Sequence, residues 1–245
     1  MRPQYVVGLL CIVFIFATGL YAQNAISAGT ILPVRLNTSL NSRKARPGEI
    51  ITARVMQDIP RGSGARVRAG AKVIGRVVDV KNSEPPQISV QFDALVVSGR
   101  KVPITTNLRA LASMMDVEAA QIPAFGPDRG TPPNWQTTEQ IGGEVVYRGG
   151  GPVENGLVTV GEPTGNGMLA YPTGKAGTNC RGLVNGSDRP QAFWVFSSDA
   201  CGVYGFNDLT IAHAGRSDPA GIITLASNRG HINVRSGSGM LLRVD

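Results

Sequence analysis

Apolar and polar residues alternate with a period of two along much of the first half of the chain. Ile88, Val90, Phe92 and Ala94 interleave with Ser89, Gln91 and Asp93, and Ile51, Ala53 and Val55 interleave with Thr52 and Arg54. Successive side chains of a strand point to opposite faces, so this pattern predicts strands with one dry and one wet face. β-Branched runs at Thr30 to Leu36, Ala71 to Val80 and Lys101 to Thr106 predict three more. Turn chemistry separates these runs, at Arg46-Pro47-Gly48, Arg61-Gly62-Ser63-Gly64, Glu84-Pro85-Pro86 and Ser98-Gly99. Strands at this spacing, with no long helical pattern between them, predict an all-β fold, an antiparallel barrel or sandwich.

One helix interrupts the series. Leu108, Leu111, Met115, Ala119 and Ile122 recur at steps of three and four, which predicts a short helix over 109–121, stopped by Pro123. Beyond it the pattern loosens. Phe125 to Pro133, Arg148 to Pro152 and Gly161 to Gly177 are rich in Gly, Pro and Thr, and only Gly143 to Tyr147, Leu157 to Val160 and Met168 to Tyr171 read as strands. Loops this long in a compact domain are usually functional or mobile. Periodicity returns with the apolar run Ala192 to Phe196, which has the length of a buried strand. Strand-like runs follow at Leu209 to Ala212, Gly221 to Ala226, His231 to Arg235 and Met240 to Val244. The chain therefore divides into a basic β module with one helix (29–122), a loop-rich insertion (123–185) and a C-terminal β region (186–245) that completes the same barrel.

Composition agrees with a turn-rich globular protein. Of 245 residues, 31 are Gly and 16 are Pro, yet 42% are hydrophobic, enough apolar side chain for one sizeable core. The net charge of +7 is unevenly placed. From Gly29 to Arg109 there are 14 Lys and Arg against five acids, whereas the remainder to Asp245 is slightly acidic. Such a basic half favours an anionic polymer, lipid head groups or nucleic acid. Phe92 is the only aromatic residue in it, so base stacking is missing and nucleic acid is disfavoured. Its charges lie along strands and turns, and Arg66, Arg68, Lys72 and Arg76, with Trp135 further along the chain, are the candidate partner surface.

The first 22 residues read as an address. Arg2 supplies a positive start, Val6 to Leu20 an apolar segment too short to span a bilayer, and Ala22 a small residue at the expected cleavage point. Cleavage after Ala22 predicts export to the periplasm or outer envelope, with retention as an anchor the alternative. The exported chain then keeps two cysteines, Cys180 and Cys201, and an even pair in an oxidising compartment favours a disulfide. Two buried thiols or a metal pair are the competing readings. A metal would need two further ligands that no neighbouring His or CxxC supplies, so neither metal nor cofactor is expected.

The order of strand and turn signals from Gly29 to Asn107 resembles the C-terminal β-domain of the TrbI-like scaffold subunit of conjugation and type IV secretion systems. Gly29-Thr30-Ile31-Leu32-Pro33-Val34-Arg35-Leu36 resembles its opening strand, and Ser42 to Gly48 followed by Ala53 to Asp58 its next turn and strand. Ala69-Gly70-Ala71-Lys72-Val73-Ile74-Gly75, Ile88 to Leu95 and Gly99 to Thr105 continue the series. The resemblance covers about a third of the chain and rests on glycines and apolar positions. It implies a barrel-like fold and a scaffold role in the envelope. With one helix instead of that family's paired helices, the implied role is a relative of the β-domain rather than a membrane-bridging channel.

Few residues carry the spacing of a catalytic or nucleotide-binding motif. Gly165 to Ala170 matches the letters of a dinucleotide fingerprint, but Pro172 and Gly174 forbid the helix it needs, so no nucleotide is expected. The two histidines, His213 and His231, read as strand residues. A triad of His213 with Ser197, Ser198 or Asp199 is a matter of geometry that sequence does not decide. Trp194, Phe196, Tyr204 and Phe206 cluster around Cys201 as a core plug or an exposed binding patch, and Trp135 is the aromatic expected on a loop surface. Two functions follow as expectations. The first is a non-enzymatic envelope module that binds a protein or an anionic polymer. The second is a secreted hydrolase of envelope polysaccharide or peptide acting through loop carboxylates or His213, for which a convergence of Asp199, Asp208, Asp218 and His213 in a cleft would be the sign.

Overall fold

Alternating dry and wet positions become strands wherever one sheet face packs inward. The computed structural model describes residues 26–60, 66–121, 193–196 and 200–245, together with the backbone of four strands between 135 and 161. The first strands are β1 (Ile31–Leu36), β2 (Leu40–Asn41), β3 (Ile50–Val55), β4 (Ile59–Pro60), β5 (Arg66–Val67) and β6 (Lys72–Lys81). β7 (Gln87–Val97), β8 (Arg100–Pro103) and β9 (Thr106–Ala112) follow, then the single described helix α1 (Met114–Ala120). Next come β10 (Trp135–Gln140), β11 (Gly143–Arg148), β12 (Val153–Asn155) and β13 (Val158–Gly161). The chain ends with β14 (Gly202–Tyr204), β15 (Leu209–Ala214), β16 (Ile223–Ser227), β17 (Asn233–Val234) and β18 (Gly239–Val244).

The fold is all-β and dominated by one ten-stranded sheet in the order β14-β9-β18-β1-β3-β6-β7-β16-β15, with β8 also paired to β7. Every pairing in it is antiparallel except β14 with β9. The strands β10 to β13 form a separate four-stranded sheet, and β17 with β2 and β4 with β5 form two small ones.

Beyond β6 the sheet forks along the length of β7. Its first residues, Gln87 to Val90, pair with β16, and its last, Ala94 to Val97, pair with β8. The chain then passes from β8 to β9 through Ile104 and Thr105 and joins β18. The Ile104 N–H donates to the Asp93 carbonyl at 3.0 Å, and Thr106 Oγ1 donates to the Phe92 carbonyl at 3.3 Å. The sheet thus rolls until residues 100–112 touch both β7 and β18, but its ladder does not close, which corrects the expected barrel. The physical reason is the fork: β16 occupies the first part of the β7 edge that a closing strand would need.

Rolling gives the sheet an inner and an outer face. The inner face holds the main core, including Val34, Leu36, Ile51, Val55, Val73, Val90, Phe92, Leu108, Leu225 and Leu242. Each such side chain contributes about 1.5–3 kcal/mol when fully buried. Gly75 lies where β6 crosses Phe92, and a Cβ there would stand 2.2 Å from the Gln91 carbonyl oxygen. A second core lies outside, over β1, β18 and β9, where Ile31, Leu241, Ala110 and Ala112 are covered by Val117 of α1 and by Phe193, Trp194, Val195 and Phe196. Gly239 makes room for this cover, since a Cβ there would meet Val117 and Phe196 at 3.0–3.1 Å.

The second core explains two corrections to the expected elements. Leu108 and Leu111 lie in β9, not in a helix, because every residue of that strand is buried between two cores and alternation is lost. The helix begins only at Met114, where the Ser113 hydroxyl caps it by accepting from the Asp116 N–H at 3.1 Å. Similarly, the apolar run at Phe193 to Phe196 is a tight turn, with Phe193 and Phe196 exchanging backbone hydrogen bonds at 3.0 and 2.9 Å, rather than a strand. Its side chains are dry because they plug the outer face, not because they enter a sheet.

Candidate functional site

The basic residues singled out by sequence fall into three settings. Arg66 opens β5 and Arg68 follows it, and the two share Asp58, at 3.9 and 3.2 Å. Asp58 also accepts from the Ala69 N–H at 2.9 Å. That backbone donor, above all, holds the Asp58 carboxyl below the usual carboxylate range; some loss of solvent opposes it, and Arg68 and Arg66 reinforce it. Arg76 is ion-paired with Asp93, and its Nη2 donates to Gln91 Oε1 at 2.8 Å. Lys72 alone of the four makes no ion pair among the described residues. Trp135 opens β10 in the smaller sheet and is not a loop residue. The four basic residues therefore do not share one electrostatic setting.

Register creates a different grouping around Lys72. On the outer face, Arg35 of β1 stands opposite Arg54 of β3, and Arg54 stands opposite Lys72 of β6. Pairing of Val73 with Leu95 brings Lys72 level with Val96 of β7, and Val96 stands opposite Lys101 of β8. Arg54, Lys72 and Lys101 are exposed and Arg35 is half-buried. None of the four has a carboxylate within ion-pair distance among the described residues. Neighbouring strands lie about 4.8 Å apart, so the row is about 19 Å long. Like charges directly opposite each other destabilise a sheet. Arg35, Arg54 and Lys101 were not singled out by sequence reasoning; only their wet positions beside dry ones mark them.

The outer face is consequently divided. Over β1, β18 and β9 it is sealed by the chain's own aromatic plug, in which Phe193, Trp194 and Phe196 are at most 2% exposed. These residues are therefore the core reading of the aromatic cluster, and not an exposed patch. Tyr204 packs against the same plug, and its hydroxyl both accepts from the Cys201 N–H at 2.9 Å and donates to the Cys201 carbonyl at 3.0 Å. Over β3, β6 and β8 the face is open, with Arg54, Lys72, Arg76 and Lys101 exposed and Ile50 60% exposed.

The residues of the hydrolase expectation separate. Asp208 precedes β15 and Asp218 follows it, and a strand of six residues spans about 20 Å. Asp208 faces Arg229 at 3.9 Å. His213 does meet a serine: Ser217 Oγ lies 2.6 Å from its Nε2, while its Nδ1 accepts from the Gly215 N–H at 2.9 Å. A nitrogen that accepts from an N–H carries no proton, so in the neutral ring the proton is on Nε2 and points at Ser217. This is the wrong tautomer for drawing a proton from the serine. Among the described residues, no three His, Cys, Asp and Glu side chains gather as a metal site.

The signal segment 1–22, Cys180, the Gly165 to Ala170 motif, the run at Met168 to Tyr171, and Ser197, Ser198 and Asp199 lie outside the described residues. Among those described, no helix is long and apolar enough to cross a membrane. No protein-family model matches the chain, and no curated protein matches it.

Proposed function

We propose that this chain is an exported envelope protein whose rolled sheet serves as a non-enzymatic scaffold, binding a partner through its open outer face. The observation that carries the reading is the division of that face. Where the sheet needs cover, the chain supplies its own plug; over β3, β6 and β8 it leaves an exposed surface with cations opposite one another. That arrangement costs stability and is therefore best explained by what it binds.

Export is supported by the apolar segment at Val6 to Leu20 ending in Ala22, and by the even cysteine count after its removal. In this reading Cys201, buried beside the aromatic plug, is bonded to Cys180. The likeness to the TrbI-like β-domain supports a scaffold role, and the tautomer of His213 weighs against a hydrolase.

The test is expression of the full chain in a bacterial host, followed by fractionation, N-terminal sequencing and thiol counting. The expected result is a mature chain starting at Gln23 in the periplasmic or envelope fraction, with no thiol open to alkylation until reduction. A full-length chain in the cytoplasm with both mature-region thiols reactive would overturn export. Envelope cross-linking of wild type beside an R54Q/K72Q variant tests the face itself. An unchanged pattern of adducts would remove the partner role.

A further inference from the structure

We infer that the row of Arg35, Arg54, Lys72 and Lys101 is a binding track for a linear, phosphate-bearing polyanion lying across the strands. This deepens the scaffold reading above by naming the chemistry of its partner, and it rests on that reading only for the compartment in which the partner is met.

Four cations occupy one cross-strand line without a carboxylate within ion-pair distance among the described residues, while Arg66 and Arg68 share Asp58 and Arg76 pairs with Asp93. What sets the row apart is that its unpaired cations are brought into one line by strand register.

Shape narrows the ligand. The line is one residue wide and about 19 Å long, a match for an extended chain rather than for the plane of a membrane surface. Its flanking positions, Thr52, Ile74, Ala94 and Pro103, are uncharged. The five strands that carry the row present no aromatic side chain on their outer face, since their one aromatic, Phe92, is in the inner core. The stacking platform of single-stranded nucleic acid is therefore missing from the row. Two guanidinium groups on adjacent strands, about 4.8 Å apart, bracket a tetrahedral oxyanion, and Arg is suited to phosphate by its planar fork of donors. Lys72 and Lys101 continue the line as point charges.

The experiment uses the purified mature chain and inorganic polyphosphate as the probe, with binding followed by fluorescence anisotropy across a salt series. Four phosphate contacts predict a log–log salt slope of about −3, using about −0.7 for each contact to a flexible polyanion. The R54Q/K72Q variant should lose about 25-fold in affinity, at roughly fivefold for each cation removed, and about half of the slope. A charge-matched R66Q/R68Q variant should bind within a factor of about three of wild type, since its cations already share Asp58.

Thermal unfolding of both variants guards against a trivial loss of fold. R54Q/K72Q is expected to melt no lower than wild type, because it removes opposed like charges. Equal losses from the two double variants would overturn the track in favour of general basicity. Equal affinity for polyglutamate, or for vesicles of anionic phospholipid, would overturn the assignment to a linear phosphate polymer. If polyphosphate does not bind but the row variant still loses its envelope adducts, the phosphate assignment falls and the scaffold reading stands.

Discussion

Replacing Gly75 with Ala sets two effects of opposite sign against each other. Gly in a strand interior is less favourable than Ala by about 0.5–1 kcal/mol, because its unfolded chain has more freedom to lose. Gly75 has no left-handed backbone angle, so on that ground alone the methyl group should stabilise. The surroundings predict the reverse. A Cβ at residue 75 would lie 2.2 Å from the Gln91 carbonyl oxygen and 2.9 Å from Phe92 Cδ1. The first contact is with backbone of the neighbouring strand, and relieving it means moving β6 off β7 at the register shift between Ile74 and Gly75. Forcing extra volume into a packed core costs about 1–3 kcal/mol, and this contact belongs at the upper end. The net expectation for G75A is a loss of about 2 kcal/mol, read from urea unfolding at constant m-value. In a chain of this size that lowers Tm by roughly 4–8 °C. Adding F92L removes the ring contact but leaves the carbonyl, so it should fail to restore stability. A G75A protein as stable as wild type, or complete rescue by F92L, would refute the claim that β6 and β7 meet here with no space for a methyl group.

Three further outcomes are expected. Trp194, fully buried in the outer core, should cost about 3–5 kcal/mol when replaced by Ala, measured by the same unfolding curves; a loss below about 1 kcal/mol would mean the plug does not seal the sheet. The Asp58 carboxyl is lowered in the folded state, so its stabilising contribution is fully present above the unfolded value of about 3.9 and is lost as pH falls through the folded one. Carboxyl NMR should place its midpoint below that of an unstructured Asp and show the Ala69 amide moving with it; a midpoint at or above the ordinary value contradicts the hairpin geometry. The His213 ring should show the Nε2–H tautomer in nitrogen–proton correlation spectra when neutral, and Ser217 should resist fluorophosphonate labelling; rapid labelling abolished by S217A would revive a hydrolase.

Strands with one wet face were legible because each dry position is flanked by a polar one. Ile51, Ala53 and Val55 are buried and the intervening Thr52 and Arg54 are not, as their alternation predicts. β9 was illegible for the opposite reason. Lying between the inner core and the plugged outer face, it buries all seven residues, and its leucines then mimic a helical stripe. Phe193 to Phe196 misled similarly, since an apolar run records dryness and not the element that provides it. The cationic row was hidden at another level. Arg35 and Lys101 are far apart in sequence and become members of one line only through the registers of β1 with β3, β3 with β6 and β7 with β8. Lys72 was recognised, but its sequence neighbours Arg66 and Arg68 turned out to be engaged with Asp58.

The chain departs from the rolled sheet at α1 and returns to it at Phe193, and both points sit in the same outer core, with Val117 and Ala120 on one side and Phe193 to Phe196 on the other. An excursion that starts and ends at one place leaves the host framework's connectivity intact whatever its length. Closing a longer loop between fixed ends costs only about 0.6 kcal/mol for each doubling. The connectivity of the sheet is therefore indifferent to the number of residues between 121 and 193. That stretch is also a natural place to graft a reporter or a foreign domain while leaving the strands of the rolled sheet unaltered.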